Sequence, residues 1–146
     1  MSRRVISPEQ FGALYHGTDK ADLTEVSQHL GGGPRYSGMR NSYGWNYATT
    51  GMRTAIDYAR DAARMTGGKP TVYEVYPRRK SDTWGPDPDS GPNGWHDGPR
   101  NKGEALDIHE GGGEVSLRFQ SSLTPRRIVW HEDRSRDETP YDRSFT

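Results

Sequence analysis

The sequence contains no cysteine, so disulfide frameworks, thiolate metal centres and thiol nucleophiles are all excluded. Hydrophobic residues make up only 29% of the chain, and no run of about 20 apolar residues that could cross a membrane is present. The formal net charge is zero, because 20 Lys and Arg balance 20 Asp and Glu. A protein without a net positive field is not expected to bind nucleic acid mainly by electrostatic attraction.

The 146 residues have the length of one ordinary domain, and their low apolar content predicts a small core. Eighteen Gly and ten Pro predict long ordered loops, since both residue types interrupt helices and sheets. Four Trp and eight Tyr compensate, because an aromatic ring buries a large area while its polar atom stays hydrogen-bonded. Residues 1–9 lack the apolar run of a signal peptide, so we expect a cytoplasmic protein with no membrane partner.

Local patterns predict several short strands and one main helix. Strands are expected where aromatic and β-branched residues cluster or alternate, over 11–15, 43–49, 71–76, 114–119 and 128–130, and we expect the last two to pair. Residues 21–30 predict a short helical turn. In residues 52–65, Ala, Ile and Met recur at helical spacing, which predicts an amphipathic helix with Thr49 and Thr50 at its N-cap.

Gly and Pro mark the segments that separate these elements. Residues 31–38 hold three consecutive Gly followed by Pro, and residues 78–101 hold four Pro among Gly and Asp, so both are expected to be irregular. Residues 132–146 are charged and offer few core candidates. We therefore expect one domain over 1–131 and a tail over 132–146 that is a surface strap or disordered.

Three motifs carry the functional interpretation. The first places His16 at a strand end beside Gly17, where a ligand can approach bare backbone and a neutral imidazole can hydrogen-bond a ribose hydroxyl. Taken alone, that motif is most often a surface turn. The second motif includes Tyr47 just before the Ala-rich helix, and the third is the strand Val72-Tyr73-Glu74-Val75. The order and spacing of the three motifs are more specific than any one of them.

With these motifs, the chain resembles the ADP-ribosyltransferases whose first motif is His-Gly-Thr, among them rifamycin ADP-ribosyltransferases and related small bacterial or phage members. The resemblance covers about residues 14–130. The resemblance implies an α+β fold, a split antiparallel β-sandwich of two small sheets with one main helix and long Gly/Pro loops around a central cleft. It implies NAD as co-substrate, no metal, and transfer of ADP-ribose to an acceptor with release of nicotinamide.

The same resemblance assigns roles to the residues of the first two motifs. His16 would hold a ribose hydroxyl of NAD, Gly17 would pair the nicotinamide amide, and Thr18 completes the first motif. Tyr47 would stack on the nicotinamide ring, with Thr49 and Thr50 capping the helix beneath it. The alternative for Tyr47 is a place in the core.

Arg35 and Tyr36 lie between the two motifs and are predicted to contact the pyrophosphate or the adenosine, as are Arg40 and Tyr43, because an Arg fork pairs phosphate oxygens bidentately. An ordinary solvated loop is the alternative for this segment. Exposed Trp in long loops often marks a binding surface, so Trp45, Trp84 and Trp95 are candidates for the wall of an acceptor site. The equal alternative is that they fasten the loops to the core.

Three acids are candidates for the third catalytic position. Glu114 opens a predicted strand and resembles the third-motif Glu of His-Tyr-Glu members, which makes it the preferred choice. Asp87, followed by Pro88 and Asp89, is the nearest match to the Asp-Asp-Pro-Asn stretch of rifamycin-modifying members, and Asp82 lies closer to the preceding strand. Any of them would stabilise the oxocarbenium-like ribosyl cation left by nicotinamide.

The acceptor stays open between a small molecule such as a rifamycin, a protein and a nucleic acid. A second hypothesis from another class is a non-catalytic binding or phage-particle-associated module that keeps the fold without turnover. The third acid discriminates, because turnover requires Glu114 or Asp87 near His16. A metal site is disfavoured, since no recognised ligand spacing links the candidate ligands His96, Asp97, His109 and Glu110.

Overall fold

The computed structural model describes residues 5–31, 45–77, 84–88, 98–120 and 123–132. The strands in these ranges are β1 (Leu14–Thr18), β2 (Asn46–Thr49), β3 (Thr71–Pro77), β4 (Trp84–Pro86), β5 (Ser116–Phe119) and β6 (Leu123–His131). The α-helices are α1 (Leu23–Gly31), α2 (Met52–Thr66) and α3 (Lys102–Glu110), and a short 3-10 helix over Pro8–Phe11 precedes β1. Within these ranges, no helix combines the length and the apolar character needed to cross a bilayer.

The strands form one six-stranded antiparallel sheet in the order β4-β5-β2-β1-β3-β6. This confirms the predicted α+β class, although two small sheets were expected. The sheet is nevertheless uneven, because β1 and β2 are in register at one position, Tyr15 opposite Thr49, whereas β1 and β3 are in register from Leu14 to Thr18. Its halves, β4-β5-β2 and β1-β3-β6, are therefore joined by little backbone pairing.

The two halves diverge next to this single pair. Antiparallel partners step in opposite directions along the chain, so the next partners would be His16 with Ala48 and Gly17 with Tyr47. Neither of these couples is in register in the described sheet. A cleft opens at this point, and its two sides carry the first and second motifs.

Helices cover both faces of the sheet. Successive strand residues point to opposite faces, so Tyr15 and Leu14 of β1 belong to different layers. On the side of Tyr15, α2 packs its buried Ala55 and Ala59 against the sheet. On the side of Leu14, the larger core combines residues of α1, α3, the 3-10 helix and the sheet, among them Val26, Leu106, Phe11 and Phe119.

Helix α2 confirms the predicted helix over 52–65 to within one residue. The expected Thr caps are wrong, because Gly51 is the N-cap and makes no side-chain cap bond. The Thr49 hydroxyl instead donates to the carbonyl of Val115 (3.2 Å), and the Thr50 hydroxyl accepts from the Val115 amide (2.9 Å). Both Thr side chains therefore attach the start of α2 to the segment that leads into β5.

The expected pairing of the last two strands is also wrong. β5 lies between β2 and β4, where Leu117 and Phe119 are buried, and β6 lies at the other end of the sheet beside β3. Pro125 within β6 cannot donate to a backbone ladder, which suits an edge strand. The first predicted strand is shifted too, because Phe11 ends the 3-10 helix and β1 starts only at Leu14.

Helix α3 (Lys102–Glu110) follows the segment 78–101 that was expected to be irregular, and no element was predicted for its residues. Its N-cap Asn101 accepts a hydrogen bond from the Glu104 amide (2.9 Å), and the Glu104 carboxylate accepts one from the Arg100 amide (2.9 Å). The helix was missed because only Ala105 and Leu106 are buried in it, which leaves almost no periodic apolar pattern.

Two predicted irregular segments and the tail fall mainly outside the described residues. Of the tail, the structure describes only Glu132, whose carboxylate accepts a hydrogen bond from Arg60 of α2 (2.8 Å).

Candidate functional site

A cavity of about 720 Å³ lies where β1 and β2 diverge. β1, β2, α2 and the residue that follows β4 contribute its walls. Four of the residues predicted for the NAD site line it together, namely His16, Gly17, Tyr47 and Asp87. Residues that the sequence places up to 71 positions apart, from 16 to 87, therefore share one hollow.

His16 spans the gap between the two diverging strands. Its Nδ1 lies 2.7 Å from the backbone carbonyl oxygen of Tyr47. A carbonyl oxygen can only accept, so Nδ1–H is the donor and the neutral ring has its lone pair on Nε2. Burial lowers the pKa of His16 below the ordinary 6.5, more than this hydrogen bond raises it, so the imidazole is neutral at physiological pH. His16 therefore offers an acceptor nitrogen to a ligand hydroxyl.

Acid is expected to destabilise the protein through His16. Because the pKa of the folded imidazole is below 6.5, the unfolded chain binds more protons, and the free energy of unfolding falls as the pH drops below about 6.5. His16→Asn keeps an amide donor for Tyr47 but does not titrate. The free energy of unfolding, measured by urea denaturation, should fall less between about pH 7.5 and about pH 5.5 in His16→Asn than in the wild type. The difference should be at most about 1.4 kcal/mol per pH unit. Equal losses would contradict a neutral, partly buried His16.

Gly17 has a packing reason to be glycine. It lies on the side of β1 that faces α2, and a Cβ there would overlap the carbonyl oxygen of Ala55 and lie 2.8 Å from the Ala59 amide nitrogen. Both are helix backbone atoms, which no side-chain rotation can move. The same residue also lines the cavity, so its bare backbone serves the close approach of α2 and leaves room for a ligand.

Tyr47 is half-buried on the opposite wall of the cleft. Its backbone is in register with Arg118 of β5, so the strand that carries the ring is held from the far side of the cleft. Thr18 and Thr49 are buried and serve local structure. The Thr18 hydroxyl accepts from the Lys20 amide (3.3 Å), and Thr49 bonds the backbone of Val115.

The structure separates the candidate acids. Asp87 is 9% exposed, lines the cavity, and its amide donates to the Ser116 carbonyl (2.9 Å). Glu114 is exposed and is not among the residues described around the cavity. Its carboxylate accepts a hydrogen bond from the Thr54 hydroxyl and packs against Gly51, which places negative charge at the positive N-terminal end of α2. Its place in the cavity wall therefore favours Asp87 as the third acid, whereas the sequence favoured Glu114.

Trp84 does not form an acceptor wall. It is buried in the core, with its ring centroid 5.9 Å from that of Phe11 and 6.2 Å from that of Phe119. Trp45 lies under the guanidinium of Arg118, 4.3 Å from the ring centroid. The remaining predicted residues outside the described ranges are Arg35, Tyr36, Arg40, Tyr43, Asp82, Trp95, His96 and Asp97.

The sequence interpretation missed the contribution of α2 to the cavity. Tyr58, Asp61, Ala62 and Met65 line it at spacings of three and four residues, which is one face of a helix. Tyr58 is 42% exposed and Met65 72% exposed, so this face carries large side chains that no core covers. The sequence contained this information, because helical spacing places Tyr58 and Met65 outside the face on which Ala55 and Ala59 pack.

Within the described ranges, no group of three or more His, Asp or Glu is arranged to hold a metal ion. His109 and Glu110 lie at the end of α3, where the His109 ring packs against Phe11 with a centroid distance of 5.5 Å. No family model, curated protein or solved structure matches the chain. The candidate site therefore rests on the geometry of its own residues.

Proposed function

We propose that the protein is an NAD-dependent ADP-ribosyltransferase that breaks the nicotinamide–ribose bond and transfers ADP-ribose to an acceptor. The single observation that carries this proposal is that His16, Tyr47 and a buried carboxylate, Asp87, line one cavity where two strands part. A volume of about 720 Å³ is within the usual range of ligand sites. The proposal includes the split β-sandwich of this family, supported by the single register pair between β1 and β2.

The surroundings of each cavity residue suit the role proposed for it in binding NAD. The Nε2 lone pair of His16 accepts a hydrogen bond from a ribose hydroxyl, because Nδ1 is occupied by the Tyr47 carbonyl. The phenol ring of Tyr47 stacks on nicotinamide, and the bare backbone of Gly17 pairs its amide. NAD binds as a co-substrate, with no metal assigned.

Asp87 is the acid that faces the developing charge. When the C–N bond breaks, nicotinamide leaves with the bonding electron pair and the anomeric carbon becomes cationic. The acceptor nucleophile then bonds to that carbon and loses its proton. A fixed carboxylate stabilises the cation in the transition state more than it stabilises NAD, which is the condition for faster turnover.

The acceptor is a small molecule such as a rifamycin, a protein or a nucleic acid, and we place the reaction in the cytoplasm, where NAD is available. A non-catalytic binding module is the second candidate, since the acid first expected to catalyse, Glu114, is engaged at the start of α2. The two are separated by incubating the protein with NAD labelled in the nicotinamide ring. Release of free nicotinamide supports the enzyme, and tight NAD binding without release supports the binding module.

The variant Tyr47→Ala tests the stacking role. Loss of the ring should weaken NAD binding about tenfold and slow nicotinamide release as well, because stacking acts before and during the reaction. Tyr47→Phe keeps the ring and should bind NAD nearly as well as the wild type. Calorimetric titration with NAD gives the Kd of each variant. The exposed Tyr76 on β3 is outside the cavity lining, so Tyr76→Ala is the matched control. Unchanged NAD binding in Tyr47→Ala would show that the nicotinamide ring does not stack on Tyr47.

A further inference from the structure

Arg118 of β5 is a cation beside the cavity to which the proposed reaction assigns no role. It stands directly opposite Tyr47 on β2 and directly opposite Gly85 on β4. Directly opposed residues of antiparallel strands point to the same face of a sheet, so Arg118 is the neighbour of Tyr47, which lines the cavity. A Cβ at Gly85 would meet no atom of the described residues within 4 Å. On the β4 side, therefore, no described side chain covers the face next to Arg118.

The guanidinium of Arg118 is held in place but is not neutralised. It lies over the ring of Trp45, 4.3 Å from the centroid, and the Arg118 side chain is half-buried. Among the described residues, no carboxylate forms an ion pair with Arg118. By contrast, Arg64, which lines the cavity, is paired with Asp61. Within the described part of the chain, Arg118 is thus the positive charge beside the cavity whose N–H donors can serve an anionic ligand.

The places of Asp87 and Arg118 match the charges of the nicotinamide half of NAD. The Asp87 amide donates to the carbonyl of Ser116, which lies two residues before Arg118 on the same face of β5. Trp45 lies two residues before Tyr47, so in an antiparallel pair it is on the side of Arg118 away from Ser116. The guanidinium over Trp45 therefore leans away from Asp87. Negative charge is offered at one end, for the anomeric carbon, and positive charge at the other, for a phosphate.

We propose that Arg118 binds the phosphate attached to the nicotinamide ribose of NAD, with Trp45 holding the guanidinium in position. In NAD this phosphate is one ribose away from nicotinamide. Because β5 lies about 5 Å from β2, a cation on β5 suits a nicotinamide that stacks on Tyr47. An arginine fork pairs phosphate oxygens bidentately, and a guanidinium already held on an aromatic ring loses less freedom on binding. This inference rests on the proposed transferase function and adds a residue to its NAD site.

Two fragments of NAD test the phosphate contact without turnover. Nicotinamide mononucleotide carries the phosphate and nicotinamide riboside lacks it, so calorimetric titration of the wild type should give a Kd about tenfold lower for the mononucleotide. Arg118→Gln should raise the Kd for the mononucleotide about tenfold and leave the Kd for the riboside within about twofold. Arg118→Lys keeps the charge without the fork and should recover only part of the loss. Unchanged mononucleotide binding in Arg118→Gln would overturn the inference.

Arg126→Gln is the matched control. Arg126 on β6 also lies over an aromatic ring, that of Tyr76 (5.8 Å), but at the other end of the sheet and outside the cavity lining. This variant removes the same charge and should bind the mononucleotide as the wild type does. Trp45→Leu should raise the Kd for the mononucleotide about threefold, and in an Arg118→Gln background it should raise it no further. Equal losses of mononucleotide and riboside binding in Arg118→Gln would indicate a disturbed cavity wall and would also overturn the inference.

Nicotinamide release separates this inference from the proposed function. The phosphate contact is the same in bound NAD and in the transition state, so Arg118→Gln should raise KM for NAD about tenfold while kcat stays within about twofold. A fall in kcat with unchanged KM would overturn the phosphate role and leave the transferase intact. A wild-type protein that binds the mononucleotide through Arg118 but releases no nicotinamide would overturn the transferase and leave the phosphate site standing.

Discussion

Asp87→Asn is expected to slow nicotinamide release roughly 100- to 1,000-fold, while the Kd for NAD stays within about threefold. Asparagine has nearly the same shape and leaves the hydrogen bond between the residue 87 amide and the Ser116 carbonyl in place. What it removes is the negative charge in a site where Asp87 is only 9% exposed and solvent screens little. Because that charge acts mainly on the cationic transition state, kcat should fall and binding should not.

Glu114→Gln is the matched control, since it removes one carboxylate charge from the other candidate acid. The Glu114 side chain serves the start of α2 through Thr54, so we expect normal nicotinamide release and a small loss of stability, about 0.3–1 kcal/mol. Single-turnover release of labelled nicotinamide and thermal unfolding separate the two effects. The assignment of Asp87 is wrong if Glu114→Gln is the variant that loses turnover and Asp87→Asn retains it.

Local features of the sequence were sufficient for much of the fold. Helix α2 was predicted because Ala, Ile and Met recur at helical spacing over several turns, and β3 because β-branched and aromatic residues are concentrated there. Strand partners could not be obtained in the same way. Whether β5 pairs with β6 or with β2 depends on contacts between distant parts of the chain, and both pairings are compatible with the same local alternation.

The candidate site shows the same contrast between local sequence features and contacts between distant parts of the chain. His16 and Tyr47 were predicted from the resemblance of the first two motifs, and both line the cavity, although His16 lies within β1 and not at the expected strand end. Glu114 was preferred to Asp87 by resemblance alone, because each acid lies near a strand in a polar stretch and no local feature distinguishes them. Their difference comes from tertiary structure alone, since Thr54 of α2 engages Glu114, whereas β4 brings Asp87 to the cavity.

Gly17→Ala should produce the largest loss of stability, about 3 kcal/mol, at the upper end of the range for over-packed interiors. The added methyl group would overlap the Ala55 carbonyl oxygen, and the nearby Ala59 amide prevents relief by a small shift. Since Ala55 and Ala59 are fully buried against the sheet, α2 as a whole would have to move away from β1. That movement would also displace Tyr58 and the rest of the cavity wall that α2 forms.

Urea denaturation measures this effect, and Gly85→Ala is its control, because a Cβ at Gly85 in β4 meets no atom within 4 Å. Adding Ala55→Gly to Gly17→Ala should restore nothing, since the obstruction is helix backbone rather than the Ala55 methyl group. Rescue by Ala55→Gly, or wild-type stability in Gly17→Ala, would contradict the close approach of α2 to β1. In that case the glycine would be needed only for the ligand, and Gly17→Ala should then lose NAD binding while its unfolding curve stays unchanged.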